Sequence, residues 1–336
     1  MKAAVVHEYK QPLQLEEVEI PKPGPDEVLI KVEACGVCHS DLHLAEGDWS
    51  QLLRLIKKPL IPGHEVVGRV VEKGAEVSNL NIGDRAGVAW VHWTCGECDF
   101  CKEGSENLCP RQAITGATVD GGYAEFIRAK ASHALKVPDA LKSEEAAPLF
   151  CAGLTVYRAI KKAGIKEGQR VAIFGIGGLG HLAVQIAKVF GAEVFAVDIS
   201  DDKLEFARSL GADHTLNATE ADVAKEFRKL GGAHVAVVTS GSKAAYDSAF
   251  YAVRAGGSLA VVGMPSENLS FPAIMMREIK ISSSATGTRE ELREVLELAA
   301  KGKLRCHTET RPLEEINEIF DEMRRAQITG RVVLTI

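Results

Sequence analysis

The stretch "RVAIFGIGGLGHLAVQIAKVFG", residues 170–191, constrains the fold more than any other part of the chain. It opens with a short apolar run of strand composition, passes through four glycines, and continues with apolar residues at helical spacing. Strand, glycine turn and helix in that order read as the first half of a βαβ unit. The pattern then repeats, with "EVFAVD", "SDDKLEFARSLG", "HVAVVTS" and "GSLAVVG" alternating strand and helix from Cys151 onward. Buried parallel strands joined by crossover helices are written this way.

Gly175, Gly177 and Gly180 form a GxGxxG. The first glycine permits a tight turn, the second lets backbone approach a pyrophosphate, and the third lets helix pack on strand. The helix start behind them offers free N–H groups and the positive end of a dipole. Gly178 and Leu179 inside the turn, and Val262 in "GSLAVVG", join them as candidate cofactor contacts. The following strand ends in Asp198, 23 residues after Gly175. A carboxylate there can accept hydrogen bonds from an adenosine ribose and repels the extra phosphate of NADP, so NAD is the expected cofactor. Lys203 lies within reach of the same ribose, or is simply a solvated helix lysine. A glycine turn that serves packing alone is the competing reading, and the agreement of strand, turn, helix and acid weighs against it.

Residues 1 to about 148 look different. Short strand-like runs such as "EVLIKVEA", "EVVGRVVEKG" and "YAEFIRA" are punctuated by "PKPGPDE", "IPGHE" and "NIGD", the composition of a β-rich domain. The tail from "TREELREVLELAAKGKL" through "LEEINEIFDEMRRAQ" to "GRVVLTI" reads as returning to it. The expected class is α/β: a β-rich domain from 1–150 and 288–336, and a doubly wound parallel-sheet domain from 151–287. A chain of 336 residues is too long for one small core, which agrees with two domains.

Lysines and arginines are scattered and the net charge is −6, which argues against nucleic acid as a partner. Neither a signal peptide nor an apolar run of spanning length is visible, so the expected location is the cytoplasm, away from membranes. In that reducing compartment, clustered cysteines more often bind metal or do chemistry than form disulfides.

Four of the eight cysteines fall in "CGECDFCKEGSENLC". Cys95, Cys98, Cys101 and Cys109 follow CxxCxxCx7C, a spacing from which four thiolates can converge on one tetrahedral ion. A site with four soft ligands has no open position and is structural. Spacing alone leaves an iron–sulfur cluster open as well. A second group is dispersed: Cys38 in "CGVCHSDLH", His64 in "GHE" and Cys151 in "LFCAGLT". Each alone is ordinary, since a lone cysteine packs as a small hydrophobe and CGVC formally matches a redox motif. The redox reading lacks its βαβ context here, whereas two thiolates and one imidazole leave zinc one open position.

"CGVCHSDLH", "GHE", the four-cysteine loop, "DGGYAEF", "CAGLTVYRAI" and "GIGGLGH" occur in the order seen in zinc-dependent medium-chain alcohol dehydrogenases. Over nearly its whole length the chain resembles that family, and most of all the shorter bacterial and yeast-type tetrameric enzymes. The resemblance implies a GroES-like catalytic domain, a Rossmann domain, two zinc ions per chain, NAD, and a homotetramer. It implies that Cys38, His64 and Cys151 hold a catalytic zinc, with Glu65 close to the metal and Asp41 orienting the histidine ligand. It further implies a proton relay through Ser40 and His43, cofactor contacts from His39, Thr155 and Arg331, and an alcohol pocket narrowed by Trp49 and Trp90.

The implied reaction is reversible oxidation of small primary alcohols to aldehydes, with hydride passing to NAD. Polyol, cinnamyl-alcohol and formaldehyde dehydrogenases of the same superfamily are the near alternatives. A zinc- and NAD-sensing interaction protein is the distant one. Core packing is the rival role for Trp49 and Trp90. Cys35 and Cys306 match no ligand position and are read as packing residues.

Overall fold

The computed structural model describes residues 1–49, 53–265 and 267–336. The described chain divides into two compact units. The first comprises Met1–Cys151, Gly287–Gly302 and Cys306–Ile336, and the second comprises Ala152–Thr286 and Lys303–Arg305.

The first unit is built on a seven-stranded sheet. Its centre is the strand Glu27–Gly36, whose residues are buried almost without interruption, as expected when both faces of a strand are covered. It pairs antiparallel with Glu65–Lys73, Phe126–Lys130 and Arg331–Thr335. Gly68 sits at a close approach of two strands: a Cβ there would lie 2.1 Å from the Lys31 carbonyl oxygen. The apolar core runs from Ala3 and Val28 through Tyr123 to Phe320 and Leu334, so the tail segments complete a core begun by the first residues. A second, short ladder, Val91–Trp93 against Ala113–Ile114, closes the base of the four-cysteine loop.

Two registers in this sheet converge on Gly36. Gly36 is the Cα partner of Glu65, so the end of one strand lies beside the start of the next. Val333 is the partner of Gly36 on the other side. Residues just past Gly36, just before Glu65 and just before Val333 are therefore neighbours in space, although sequence separates them widely.

The β-rich stretch also holds the helix His39–Glu46, which the strand signals did not reveal. It is eight residues long and only weakly amphipathic, so periodicity could not expose it. It begins with a capping box, in which the Asp41 carboxylate accepts from the Cys38 N–H.

The second unit carries a six-stranded sheet in the order His214–Asn217, Glu193–Asp198, Arg170–Phe174, Ala233–Val238, Val253–Val261, Lys280–Ser283. Every pair is parallel. The order reverses between Arg170–Phe174 and Ala233–Val238, the switch point at which such sheets bind ligands. Phe174, Phe195, Phe227, Tyr246 and Phe250 fill the core on one side.

Candidate active site and metal centres

Cys38 follows the central strand, His64 precedes the next, and Cys151 closes the 3-10 turn Ala147–Phe150. The pairing of Gly36 with Glu65 brings the first two together. The ligand atoms of Cys38, His64, Glu65 and Cys151 all lie within 4.8 Å of one another. The two sulfurs are 4.0 Å apart, close to the separation of about 3.8 Å expected for two thiolates on one tetrahedral ion. Cys38 is held well below the ordinary thiol range, chiefly by its hydrogen bond with Cys151, whose own thiol is raised in turn.

Asp41 fixes the histidine. One carboxylate oxygen accepts from His64 Nδ1 at 2.8 Å and from the Gly63 N–H at 3.2 Å. The other accepts from the Cys38 N–H and from the Tyr123 hydroxyl, both at 2.9 Å. An acceptor on Nδ1 puts the ring proton there and leaves the Nε2 lone pair free. That nitrogen is fully buried and has no hydrogen-bond partner among the described residues. An unsatisfied buried acceptor costs about 1–3 kcal/mol. A borderline-soft cation held by two sulfurs and this nitrogen removes the cost, so the residues present fit zinc.

Glu65 and Arg331 form a buried ion pair of 2.5 Å. The second Glu65 oxygen and Arg331 Nε are buried without partners. Burial pushes the Glu65 carboxyl up to about 7 although Arg331 pulls the other way, and Cys38 adds to the rise. Arg331, expected from the resemblance as a cofactor contact, thus stands against Glu65 in this structure. Tyr123, in "DGGYAEF", was given no role by sequence reading, yet it completes the shell of Asp41.

Trp90 meets His64 edge-on, with ring centroids 4.9 Å apart, and Trp49 meets Trp90 edge-on at 5.9 Å. With Leu44, Ile114 and Ala117 they form a small apolar cluster beside the ligand set. On the helix His39–Glu46, Asp41 points into the core, Ser40 is half-buried and His39 is exposed. His43 is about one-third exposed and bonds Asp48.

The four-cysteine loop forms the second centre. Its sulfurs also lie within 4.8 Å of one another, with Cys95 to Cys109 at 3.5 Å and Cys95 to Cys101 at 3.9 Å. None of the cysteines forms a disulfide among the described residues. Backbone N–H groups of Glu97 and Cys98 draw the Cys95 thiol down to about 6. Phe100 and Leu108 are exposed, so the loop has little core of its own. A closed tetrahedral ion fits the gap, anchored by Glu106, which accepts from the Arg289 N–H at 3.0 Å.

In the second unit each glycine of the turn has the environment its task requires. Gly175 has φ 90°, a Cβ on Gly180 would fall 1.9 Å from the Gly175 carbonyl oxygen, and Gly177 faces open space. Asp198 accepts from the N–H groups of Ile176, Ile199 and Ser200 at 2.6, 2.8 and 3.2 Å. It therefore clamps the glycine turn as well as standing at the strand end. A cleft of about 490 Å³ with mainly apolar walls lies here, lined by Gly175, Asp198, Ile199, Val223, Ser240 and Tyr251. Leu179 caps the helix Gly180–Val189, and Gly178 is half-buried beside it. Thr155 and Lys203 lie on the helices Ala152–Lys162 and Asp201–Ser209, and Val262 follows the strand Val253–Val261.

Comparison with known proteins agrees with both units. Residues 24–139 match the family described as alcohol dehydrogenase GroES-like domain, and residues 178–301 match zinc-binding dehydrogenase. An alcohol dehydrogenase of Geobacillus stearothermophilus is 51% identical over all of both chains. Among solved structures, the alcohol dehydrogenase of the archaeon Aeropyrum pernix superposes with a TM-score of 0.92 at 38% identity, with full coverage of both chains. An NAD-dependent alcohol dehydrogenase superposes with a TM-score of 0.93 at 31% identity, again with full coverage of both. The chain belongs to the zinc-dependent medium-chain alcohol dehydrogenase family, with zinc and NAD as its cofactors.

Proposed function

We propose that this enzyme oxidises small primary alcohols such as ethanol and propanol reversibly to aldehydes. Cys38, His64 and Cys151 hold the catalytic zinc, and Cys95, Cys98, Cys101 and Cys109 hold a structural one. The observation that carries this reading is the buried, unpartnered Nε2 of His64, grouped with two thiols and fixed in its tautomer by Asp41. When bound, zinc supplies Lewis acidity to the alcohol oxygen and NAD supplies the hydride acceptor.

The chain's own residues do the rest. Asp41 keeps the imidazole aimed, and Trp49 and Trp90 narrow the pocket and exclude water and bulky substrates. Ser40 accepts the proton the alcohol loses as its own hydroxyl proton is handed on towards His43, which is partly exposed and releases it to water. Glu65 can approach the metal during ligand exchange when it parts from Arg331. Gly175, Gly177, Gly178, Leu179 and Gly180 receive the pyrophosphate, and the resemblance assigns further cofactor contacts to His39 and Arg331. Asp198 and Lys203 receive the adenosine ribose, and Thr155 and Val262 line the nicotinamide site. Assembly is a homotetramer and the location cytoplasmic; among the described residues no helix is long and apolar enough to cross a membrane.

Metal analysis with an alcohol panel tests the reading. Two zinc ions per chain, with activity highest on ethanol and propanol and with NAD over NADP, are expected. One zinc per chain, or a preference for cinnamyl alcohol, polyols or formaldehyde, refutes it.

A further inference from the structure

The helix His39–Glu46 ends in an unusual way. Gly47 has φ 71°, the Gly47 N–H donates to the Leu44 carbonyl, and the Asp48 N–H donates to the His43 carbonyl at 3.0 Å. This is a Schellman ending, in which the residue after the left-handed glycine doubles back beside the residue five positions earlier. Those two side chains normally make an apolar contact that helps hold the helix end. Here they are His43 and Asp48, and the imidazole Nδ1 lies 2.8 Å from the Asp48 carboxylate. Gly47 cannot be replaced cheaply, because besides its φ a Cβ there would fall 2.9 Å from the Tyr9 ring.

Asp48 has a second neighbourhood. It lines a polar cleft of about 480 Å³ in the first unit, with Lys10, Glu46, Phe320, Asp321 and Arg324. Arg324 is already paired with Glu46 at 2.7 Å and with Asp321 at 2.5 Å. The other ring beside His43 with a titratable nitrogen is His39, at 6.4 Å, and Trp49 packs at 5.7 Å. With Glu46 and Asp321 committed to Arg324, Asp48 is the carboxylate bonded to His43.

We propose that Asp48 is a positioning residue for His43: it accepts the Nδ1–H, leaves Nε2 as the proton acceptor, and holds the partly exposed imidazole where it can release the proton to bulk water. The inference rests on the relay reading of His43. In alcohol oxidation Nε2 takes a proton to give the imidazolium, the carboxylate balances that charge, and the imidazolium then releases the proton to water. No electron moves in this step. Exposed ion pairs of this kind contribute modestly, so the expected effect is severalfold rather than absolute.

The test uses the zinc-loaded enzyme with ethanol and NAD. Asp48→Asn should alter the acid limb of the kcat/KM profile, because the imidazolium loses its counter-charge. It should also lower the rate above that limb about two- to fivefold. Asp48→Glu should restore most of both. Nitrogen NMR of labelled histidine should show His43 as the Nδ1–H tautomer in the wild type and a mixture of tautomers in Asp48→Asn. An unshifted profile with an unchanged tautomer overturns the proposal, as does a rate loss without either change, which marks Asp48 as merely structural. His43→Gln separates the two levels. If it leaves the profile unmoved, the relay reading itself fails; if it abolishes the limb while Asp48→Asn does nothing, only the role of Asp48 falls.

Discussion

The two candidate metal centres of this chain are assembled in opposite ways. The four-cysteine loop takes its ligands from fifteen consecutive residues between the strands of one short ladder. Its geometry is local, three of its four cysteines are half-buried while Cys109 is buried, and its exposed Phe100 and Leu108 give it little packing of its own. The Cys38, His64 and Cys151 set is gathered from three distant segments by strand register. Its imidazole is wholly buried and every acceptor site of Asp41 around it is occupied. The loop has few packing contacts beyond its own cysteines, whereas the dispersed set is buttressed by the hydrogen bonds of Asp41 and by strand register. A three-ligand site with a buttressed histidine suits catalysis, and a four-ligand loop with little packing of its own suits bracing.

The sharpest way to break this contrast is Cys38→Ser. Turnover should fall by at least about a thousandfold, since a hydroxyl is a poor ligand for zinc. The loop zinc and NAD binding should persist, as read by metal analysis and by cofactor titration. Loss of both zinc ions together would show that the centres are one cooperative unit.

Asp41→Asn probes the preorganised half alone. Supporting residues of this kind typically govern 10–100-fold in metal affinity or activity. Competition with a chelator should show a weakening of that order at the dispersed set and none at the loop. Equal weakening at both would contradict the assignment.

Cys101→Ser probes the other half. Melting temperature should fall by roughly 5–10 °C as the loop loses its brace, while kcat at 25 °C changes less than about twofold. A large kcat loss with an unchanged melting temperature would reverse the assigned roles.

The smallest effect concerns acid. His133 bonds Thr94, next to the loop, at 3.1 Å, and burial, with Arg289 adding, holds its imidazole down to about 3. The unfolded chain takes up that proton near pH 6.5 and the folded one does not. Its contribution is therefore fully present above about 6.5 and is lost as pH falls from there towards about 3. His133→Gln should lose less melting temperature between pH 7 and pH 5 than the wild type does. Parallel losses would remove His133 as a source of acid sensitivity.

The legibility of the sequence divides along the same line. The GxGxxG and the CxxCxxCx7C are local patterns, and their backbone consequences are fixed by a few residues, so both could be read directly. Nothing in the spacing of Cys38 and His64 says that they meet; only the pairing of Gly36 with Glu65 does, and register is a property of the sheet. That set was legible by resemblance alone. Tyr123 on Asp41, Arg331 against Glu65, and Asp198 clamping the Ile176 N–H lay beyond sequence reasoning for the same cause. Asp48 did leave a trace, in the spacing His43-x-x-x-Gly47-Asp48 of a helix ending.

The strand Arg331–Thr335 closes the central sheet on the flank of Gly36, and Arg331 locks onto Glu65. On a ribosome this strand emerges after the entire second unit has been made. Until it does, the strand Glu27–Gly36 has one flank bare and Glu65 lacks its counter-charge. The neutralisation of Glu65 is therefore supplied by a segment synthesised long after it, so the first unit gains its last sheet strand only once the chain has passed through the second.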